Sequence, residues 1–400
     1  YGEHDMAENI VHLVLARLPD APAGTKGISL FVVPKFLVNG DGSLGKRNDV
    51  RCAGIEHKLG IHGSPTCIMV YGDEGGATGY LVGEENKGLA CMFTMMNDAR
   101  LATGLQGVAI GEVAYQRALL YALDRKQGRA ADATAPGPSA IIHHPDVKRM
   151  LMTMKAMTQS ARAVCYVTAG AIDRSRRAKD PAERKAAADR AGLLTPIAKA
   201  YSSDIGCEVA SLGVQVHGGM GFVEETGAAQ YMRDSRIVPI YEGTNGIQAI
   251  DLVTRKLPVD GGGVMKAEIA DMRKTVEDLR ATNDPAFGAT ATRLAEALAS
   301  FERATEYMLE KLGSAPQDAL AGATPYMRLF GLVRGGATLG AVGLIAHRKR
   351  AAGETDPAHA ARIATARFFA ENVVVTAGGL ETTITGAAES VLTADLALAS

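Results

Sequence analysis

The segment Gln215–Gln248 reads QVHGGMGFVEETGAAQYMRDSRIVPIYEGTNGIQ. It separates two helical patterns and carries a glycine turn (Gly218-Gly219-Met220-Gly221), an Arg233-Asp234 pair and a lone carboxylate, Glu242. Glycines let backbone N–H groups approach a phosphate or a flat ring closely. The same turn also reads as a plain helix terminator, and with no strand before it there is no dinucleotide fingerprint. Asn245 with Gln248 three residues on resembles a capping box, so a helix is expected to start there. An acidic residue just before a helix is favoured by the helix dipole alone. The alternative is a general base, with Val238, Ile240 and Tyr241 supplying the apolar setting that brings a carboxylate into its working range.

Upstream, Leu101, Leu105, Val108, Tyr115, Leu119 and Leu123 recur at helical spacing, giving a long helix that ends near Arg125. Arg125 there is a pyrophosphate clamp or a cationic helix end. A Gly/Ala/Pro loop follows (128–139), then helical patterns over 146–179 and 182–212, with a shorter one over 245–256. Residues 1–90 read as β: apolar runs at 12–16, 27–34, 67–71 and 79–83, with turns at 39–43 and 72–76. Asp260-Gly261-Gly262-Gly263 is the linker candidate. Beyond it the periodicity predicts helices over 265–281, 287–312, 324–350 and 357–397, with a break at Gly378-Gly379.

The composition is that of an ordinary globular chain: 47% hydrophobic and 22% charged residues, with 43 Lys/Arg against 44 Asp/Glu. This balance gives no electrostatic case for nucleic acid or an anionic membrane. The tail 265–400 is no more basic, with 14 Lys/Arg against 16 Asp/Glu. Leu329–Ala346 is the most apolar run, but Arg334 and several glycines break it, so no membrane span is expected. Five cysteines without CxxC spacing fit free thiols in a reducing cytoplasm. His143-His144-Pro145-Asp146 lacks matching ligands for a metal, and Pro145 at a helix start explains it better. No metal is expected, and His217 reads as a packed residue.

Taken together, these motifs resemble those of the acyl-CoA dehydrogenase family. YEGTNGIQ (241–248) is similar to the family segment in which Glu-Gly-Thr follows a Tyr and starts a helix. QVHGGMGF (215–222) is similar to its Gln-x-x-Gly-Gly-x-Gly-Phe turn, Ala122-Leu123-Asp124-Arg125 to its helix end, and LGIHGSPT (59–66) to a strand entry of its β domain. The resemblance implies Glu242 as catalytic base. It implies FAD contacts from Arg125, Gln127, Gln215, Gly218, Gly219 and Thr244, with Gln215, Gly218 and Gly219 serving a neighbouring subunit's cofactor. It implies substrate contacts from Asn97, Arg100 and Gly243. Gly128, Pro145 and His62 depart from the family's Phe, Gln and Arg.

The implied fold is α+β: a partial, β-barrel-like middle domain (1–90), a four-helix-bundle FAD and catalytic domain (91–258) and an all-helical extension (259–400). The family's N-terminal helical domain and opening β segment are not represented, so the chain, starting at Tyr1, is expected to be a C-terminal portion of a longer protein. The implied reaction is α,β-dehydrogenation of an acyl-CoA, with an electron-transfer flavoprotein as acceptor and a homodimer or dimer of dimers. The extension, with ACMFTMMNDARL (90–101) and HHPDVKRMLM (143–152), looks most like that of bacterial 3-(methylthio)propanoyl-CoA dehydrogenases of sulfur metabolism. The alternatives are a medium- or long-chain fatty acyl-CoA dehydrogenase, and a flavin-binding, DNA-associated homologue.

Overall fold

A computed structural model of the chain describes residues 6–134 and 136–398, with only the backbone at Asn97 and Leu396. The opening Tyr1-Gly-Glu-His-Asp lies outside the described residues. The chain divides into two compact units, Tyr1–Ala99 and Arg100–Ser400.

The first unit is antiparallel β. Its strands are β1 (Val11–Arg17), β2 (Ile28–Pro34), β3 (Phe36–Val38), β4 (Leu44–Arg47), β5 (Val50–Ile55), β6 (Cys67–Tyr71) and β7 (Tyr80–Val82). They form three small sheets, β1-β2-β7, β3-β4 and β5-β6. Leu13 pairs with Val32 across β1 and β2, and Phe31 with Leu81 across β2 and β7. Buried Asn48 ties separate segments together, donating to Pro34 O and Thr78 O at 2.9 Å each and accepting from Thr78 N at 2.9 Å. The apolar runs at 12–16, 27–34, 67–71 and 79–83 mark β1, β2, β6 and β7. Strands β3, β4 and β5 were not legible, because β3 is only three residues long and LGKR and VRCAGI carry no continuous apolar run.

The division between the units falls inside α1 (Gly88–Asp124). The second unit continues with α2 (Pro145–Arg177), α3 (Pro181–His217), α4 (Ala228–Ser235) and α5 (Asn245–Asp251). Proline stands at the first turn of both α2 and α3, where no N–H is required. Asp180 caps α3 by accepting from Ala182 N at 3.0 Å. After α5 comes one π-helical turn, Leu252–Lys256. At the expected linker, Asp260 (φ 53°) and Gly261 (φ 57°) make a left-handed turn. Then follow α6 (Gly263–Thr282), α7 (Thr290–Ser314), α8 (Pro316–Ala321), α9 (Ala323–Ala351), α10 (Pro357–Asn372) and α11 (Ala377–Gly386).

One hydrophobic core runs from Val108 of α1 to Ile384 of α11. Residues on either side of the 258/259 position therefore share it. The break expected at Gly378-Gly379 is instead at Val373–Thr376, and both glycines lie inside α11. The β-branched run Val373-Val374-Val375-Thr376 explains this, since such side chains crowd the preceding helical turn.

By length and composition α9 could cross a membrane, which the interrupted run Leu329–Ala346 had not suggested, yet 78% of that stretch is buried in the protein. Its glycines let it pack closely. A Cβ at Gly331 would meet the Tyr201 ring at 2.4 Å, and one at Gly335 would meet the Ser160 Cβ at 2.9 Å. Arg334, on the same helix, reaches Glu268 at 2.8 Å and Asp271 at 2.6 Å on α6.

A close crossing joins α1 to α3. A Cβ at Gly104 would lie 2.2 Å from Ala198 O, and one at Gly107 would lie 2.3 Å from Ser202 O. Gly107→Ala gains up to about 1 kcal/mol of helix propensity. It costs about 1–3 kcal/mol by forcing the helices apart. The expected net effect is a loss of stability, read as a lower urea midpoint at unchanged slope.

Candidate functional site

Around Glu242 the backbone is unusual. Among the described non-glycine residues, φ is positive at Ile61, Asn86, Glu242, Asp260 and Asn283. Asn and Asp visit that region readily, whereas a Glu there (φ 58°) needs support from its surroundings. Gly243 follows at φ 83°, and a Cβ there would lie 2.7 Å from Gln248 Nε2. Tyr241 N donates to Ile237 O at 3.1 Å and Asn245 N to Pro239 O at 3.0 Å, closing the loop on both sides. Among the described residues no acceptor takes the N–H of Glu242 or Gly243. The Glu242 side chain is half-buried.

The helix after it starts differently from the capping-box expectation. Thr244 is the cap, its hydroxyl accepting from Ile247 N at 3.4 Å. Asn245 turns inward instead. Its Nδ2 faces Asp204 Oδ1 (2.7 Å), Ser203 Oγ (2.9 Å) and Ala200 O (3.1 Å), and its Oδ1 accepts from Lys199 Nζ at 2.8 Å. Those partners all lie on α3 and are buried or half-buried, so the amide is worth more there than as a solvated cap. Gln248, fully buried, points its Nε2 at Glu242 O and Gly243 O (3.4 Å each), and its Oε1 has no partner among the described residues.

Charged groups gather behind this turn. Lys199 has no exposed surface. Burial pushes its ammonium down to about 8; Asp204 and Glu242 favour its charge and Arg100 opposes it. Burial raises the Asp204 carboxyl, against the Asn245 hydrogen bond and the charge of Arg328, which lower it. Arg100 is buried and pairs with Asp251 at 3.7 Å, and Arg255 reaches the same carboxylate at 2.6 Å. Tyr241 donates its hydroxyl to Gln106 on α1. The structure thus brings Arg100, Glu242, Gly243 and Thr244 together. The Asn97 side chain lies outside the described residues.

A second cluster forms at the far ends of α1 and α3. Tyr121 stacks on His217 with ring centroids 4.5 Å apart, and His217 Nδ1 contacts Gly213 O at 2.7 Å, so His217 is a packed residue. One turn beyond Tyr121, Arg125 is exposed, its guanidinium 3.5 Å from Gln127 Oε1. Both sit on a short ladder closed by Gln127 N to Ser139 O (3.0 Å) and Ile141 N to Arg125 O (2.8 Å). Gly128 takes φ 64° beside His144, a conformation that strains a side chain such as the family's Phe. Exposed Gln215, Gly218 and Gly219 end α3, and a Cβ at either glycine would meet nothing within 4 Å. The fifteen-residue step along α1 from Gln106 to Tyr121 puts this cluster roughly 20 Å from the Glu242 turn.

Lys199, Asp204 and Asp251 were not among the residues singled out from sequence, and Asn245 and Gln248 were read there only as a capping box. A faint signal was present for Lys199, an ammonium inside the apolar run Leu193–Tyr201. Among the described residues no group of three or more His, Cys, Asp or Glu is placed to hold a metal ion. His144 precedes Pro145 at the start of α2 and contacts Gln127 O at 2.8 Å.

Comparison with known proteins identifies two family regions: residues 86–257 match "Acyl-CoA dehydrogenase, C-terminal domain" and residues 268–395 match "Acetyl-CoA dehydrogenase C-terminal like". The chain is 48% identical over 396 residues to a 3-methylmercaptopropionyl-CoA dehydrogenase of Ruegeria pomeroyi, covering 99% of the chain and 66% of that protein. It is 39% identical to a butyryl-CoA dehydrogenase of Syntrophomonas wolfei, covering 93% of the chain and 62% of that protein. The chain therefore spans just under two thirds of these relatives' length. A crystal structure of a Bacillus anthracis acyl-CoA dehydrogenase complexed with FAD shares the fold, with a TM-score of 0.70 at 20% identity over 98% of this chain and 64% of that one.

The buried ammonium makes stability depend on pH. Lys199 is pushed down to about 8 in the folded chain from an ordinary 10.5, so between these values the unfolded chain binds more protons. Stability contributed at this position therefore rises with pH through that window. Lys199→Met removes the rise, and urea unfolding of both proteins at neutral and alkaline pH should show their stability difference shifting in favour of the wild type as pH increases.

Proposed function

Because the chain belongs to the acyl-CoA dehydrogenase family, we propose that it carries the catalytic base of an FAD-dependent dehydrogenase that oxidises the α,β bond of an acyl-CoA thioester. The observation that carries this reading is Glu242, held half-buried in a left-handed turn with its own N–H unused. The carboxylate removes the α-proton of the thioester. The unused N–H donates to the thioester carbonyl as negative charge develops there, which lowers the barrier to that proton transfer. Neither group has to reorganise, because Gln248, Thr244 and Asn245 already fix the turn.

The residues fit the cofactor. Gly218 and Gly219, where a Cβ would meet nothing within 4 Å, follow the His217 that stacks on Tyr121, and the exposed Arg125 guanidinium lies one turn beyond Tyr121, groups of the kind a diphosphate uses. Gln127 and Gln215 are exposed at this cluster and can supply further hydrogen bonds, while exposed Thr244 stands at the Glu242 turn, where it would meet the cofactor of its own subunit. FAD, when bound, supplies the two-electron acceptor that takes the β-hydrogen as hydride. The separation of roughly 20 Å between this cluster and Glu242 supports the reading that Gln215, Gly218 and Gly219 serve the FAD of a neighbouring subunit. On this reading a dimer or a dimer of dimers is the working form; an electron-transfer flavoprotein as acceptor and a cytoplasmic location belong to the same proposal.

For the acyl group, the Ruegeria relative favours 3-(methylthio)propanoyl-CoA, since it matches nearly the whole chain, including the extension. The Syntrophomonas relative, which also matches most of the chain, supports a fatty acyl-CoA as the second reading. Mixing the FAD-loaded protein anaerobically with 3-(methylthio)propanoyl-CoA, butanoyl-CoA and palmitoyl-CoA separates the two. Fastest bleaching of the oxidised flavin band by the thioether substrate supports the first, and by a fatty acyl-CoA the second. Glu242→Gln should retain FAD and lose about 10²–10⁴-fold in bleaching rate. Near-normal bleaching by that variant removes Glu242 from the role of base.

A further inference from the structure

We propose that Lys199 is a positioning residue for Glu242: fixed on Asn245, its buried ammonium holds the left-handed turn against α3 and sets a positive charge behind the carboxylate. The inference rests on the reading of Glu242 as the base.

The geometry is a short chain of contacts. Lys199 Nζ donates to Asn245 Oδ1 at 2.8 Å, and the Asn245 backbone N–H donates to Pro239 O at 3.0 Å. Asn245 thus grips both ends of the segment 239–245 that presents Glu242, and Lys199 fixes the amide that does so. The far side of that amide is held by Asp204 Oδ1 at 2.7 Å. Asp204 lies near Arg328 of α9, which pairs with Glu208 through both carboxylate oxygens at 2.6 and 2.9 Å. The helical extension therefore braces the outer end of the chain.

Packing alone does not account for a lysine here. An ammonium with no exposed surface costs stability that an apolar side chain of similar volume does not. Burial brings it down to about 8, which leaves it mainly protonated at neutral pH. The Glu242 carboxylate favours the charge on this ammonium, so the two groups attract. The other groups facing this pair are Arg100 and its partner Asp251, Arg255 on the same carboxylate, Asp204 with Arg328 and Glu208 behind it, and the Tyr241 hydroxyl on Gln106.

The test uses the purified FAD-loaded protein, expressed from its natural reading frame, with acyl-CoA thioesters as probes. Wild type, Lys199→Met, Lys199→Arg and Asn245→Ala are compared for FAD content, KM, kcat across pH, and amide hydrogen exchange of residues 240–244. Lys199→Met should keep FAD and KM, lose roughly 10- to 100-fold in kcat, and move the acidic limb of the kcat profile to higher pH. Lys199→Arg should return the limb toward the wild-type position. Asn245→Ala should lose kcat and exchange faster over 240–244 with the limb unmoved, because the ammonium remains. A Lys199→Met protein with wild-type kcat and an unshifted limb overturns the inference. If Lys199→Met yields no FAD-bound protein, Asn245→Ala decides, and wild-type kcat and exchange in that variant overturn it. Failure of the wild type to bleach with any thioester instead sinks the functional reading beneath it.

Discussion

The site depends on how closely α1 approaches α3. At Gly104 and Gly107 the backbones leave no room for a Cβ, which would fall 2.2 and 2.3 Å from carbonyl oxygens of α3. Gly206, on α3, answers from the other side, with a Cβ position 2.6 Å from Gly107 O. This contact fixes the register of the two helices. It sets Arg100 and Gln106 against the stretch of α3 that carries Lys199, Ser203 and Asp204. A separation wider by one methyl group would loosen the floor on which the Glu242 turn is built.

On that floor the protein holds two unfavourable features in place. One is the left-handed backbone at Glu242; the other is an ammonium with no exposed surface. Each stabilises the other through Asn245, whose amide satisfies Lys199 and whose backbone N–H closes the turn. Strain of this kind persists only where the surroundings over-determine it. Here the surroundings are α3, α5 and the buried amide of Gln248.

The extension is not a separate body hung on the helical domain. Its longest helix, α9, is as apolar as a membrane span but spends that surface in the shared core, against Tyr201 and Ser160 of the preceding helices. Two of its arginines face α3 and α6: Arg328 pairs with Glu208, and Arg334 with Glu268 and Asp271. Glu268, nearly fully buried, also accepts from Arg190 of α3 at 2.7 Å, so the ion pairs cross from one family region to the other.

By itself the sequence determined the long helices, four of the seven strands, the carboxylate at 242 and the glycine turn at 218–221. Those features are local: a helical period, an apolar run or a motif of a few residues is complete within one stretch of chain. It did not determine the short strands β3 to β5, of which β3 is only three residues long and β4 and β5 carry no continuous apolar run. Nor did it reveal the true inward role of Asn245, which looked like a cap because capping is the local use of an asparagine. Lys199 was invisible as a partner of the site because it meets Asn245 across 46 residues of chain. Only the tertiary structure decided that, since burial creates both the cost of the ammonium and the geometry that offsets it. The same holds for the split between the Arg125–Gly219 cluster and the Glu242 turn: both motifs lie on neighbouring helices, and only the length of α1 shows that they stand roughly 20 Å apart.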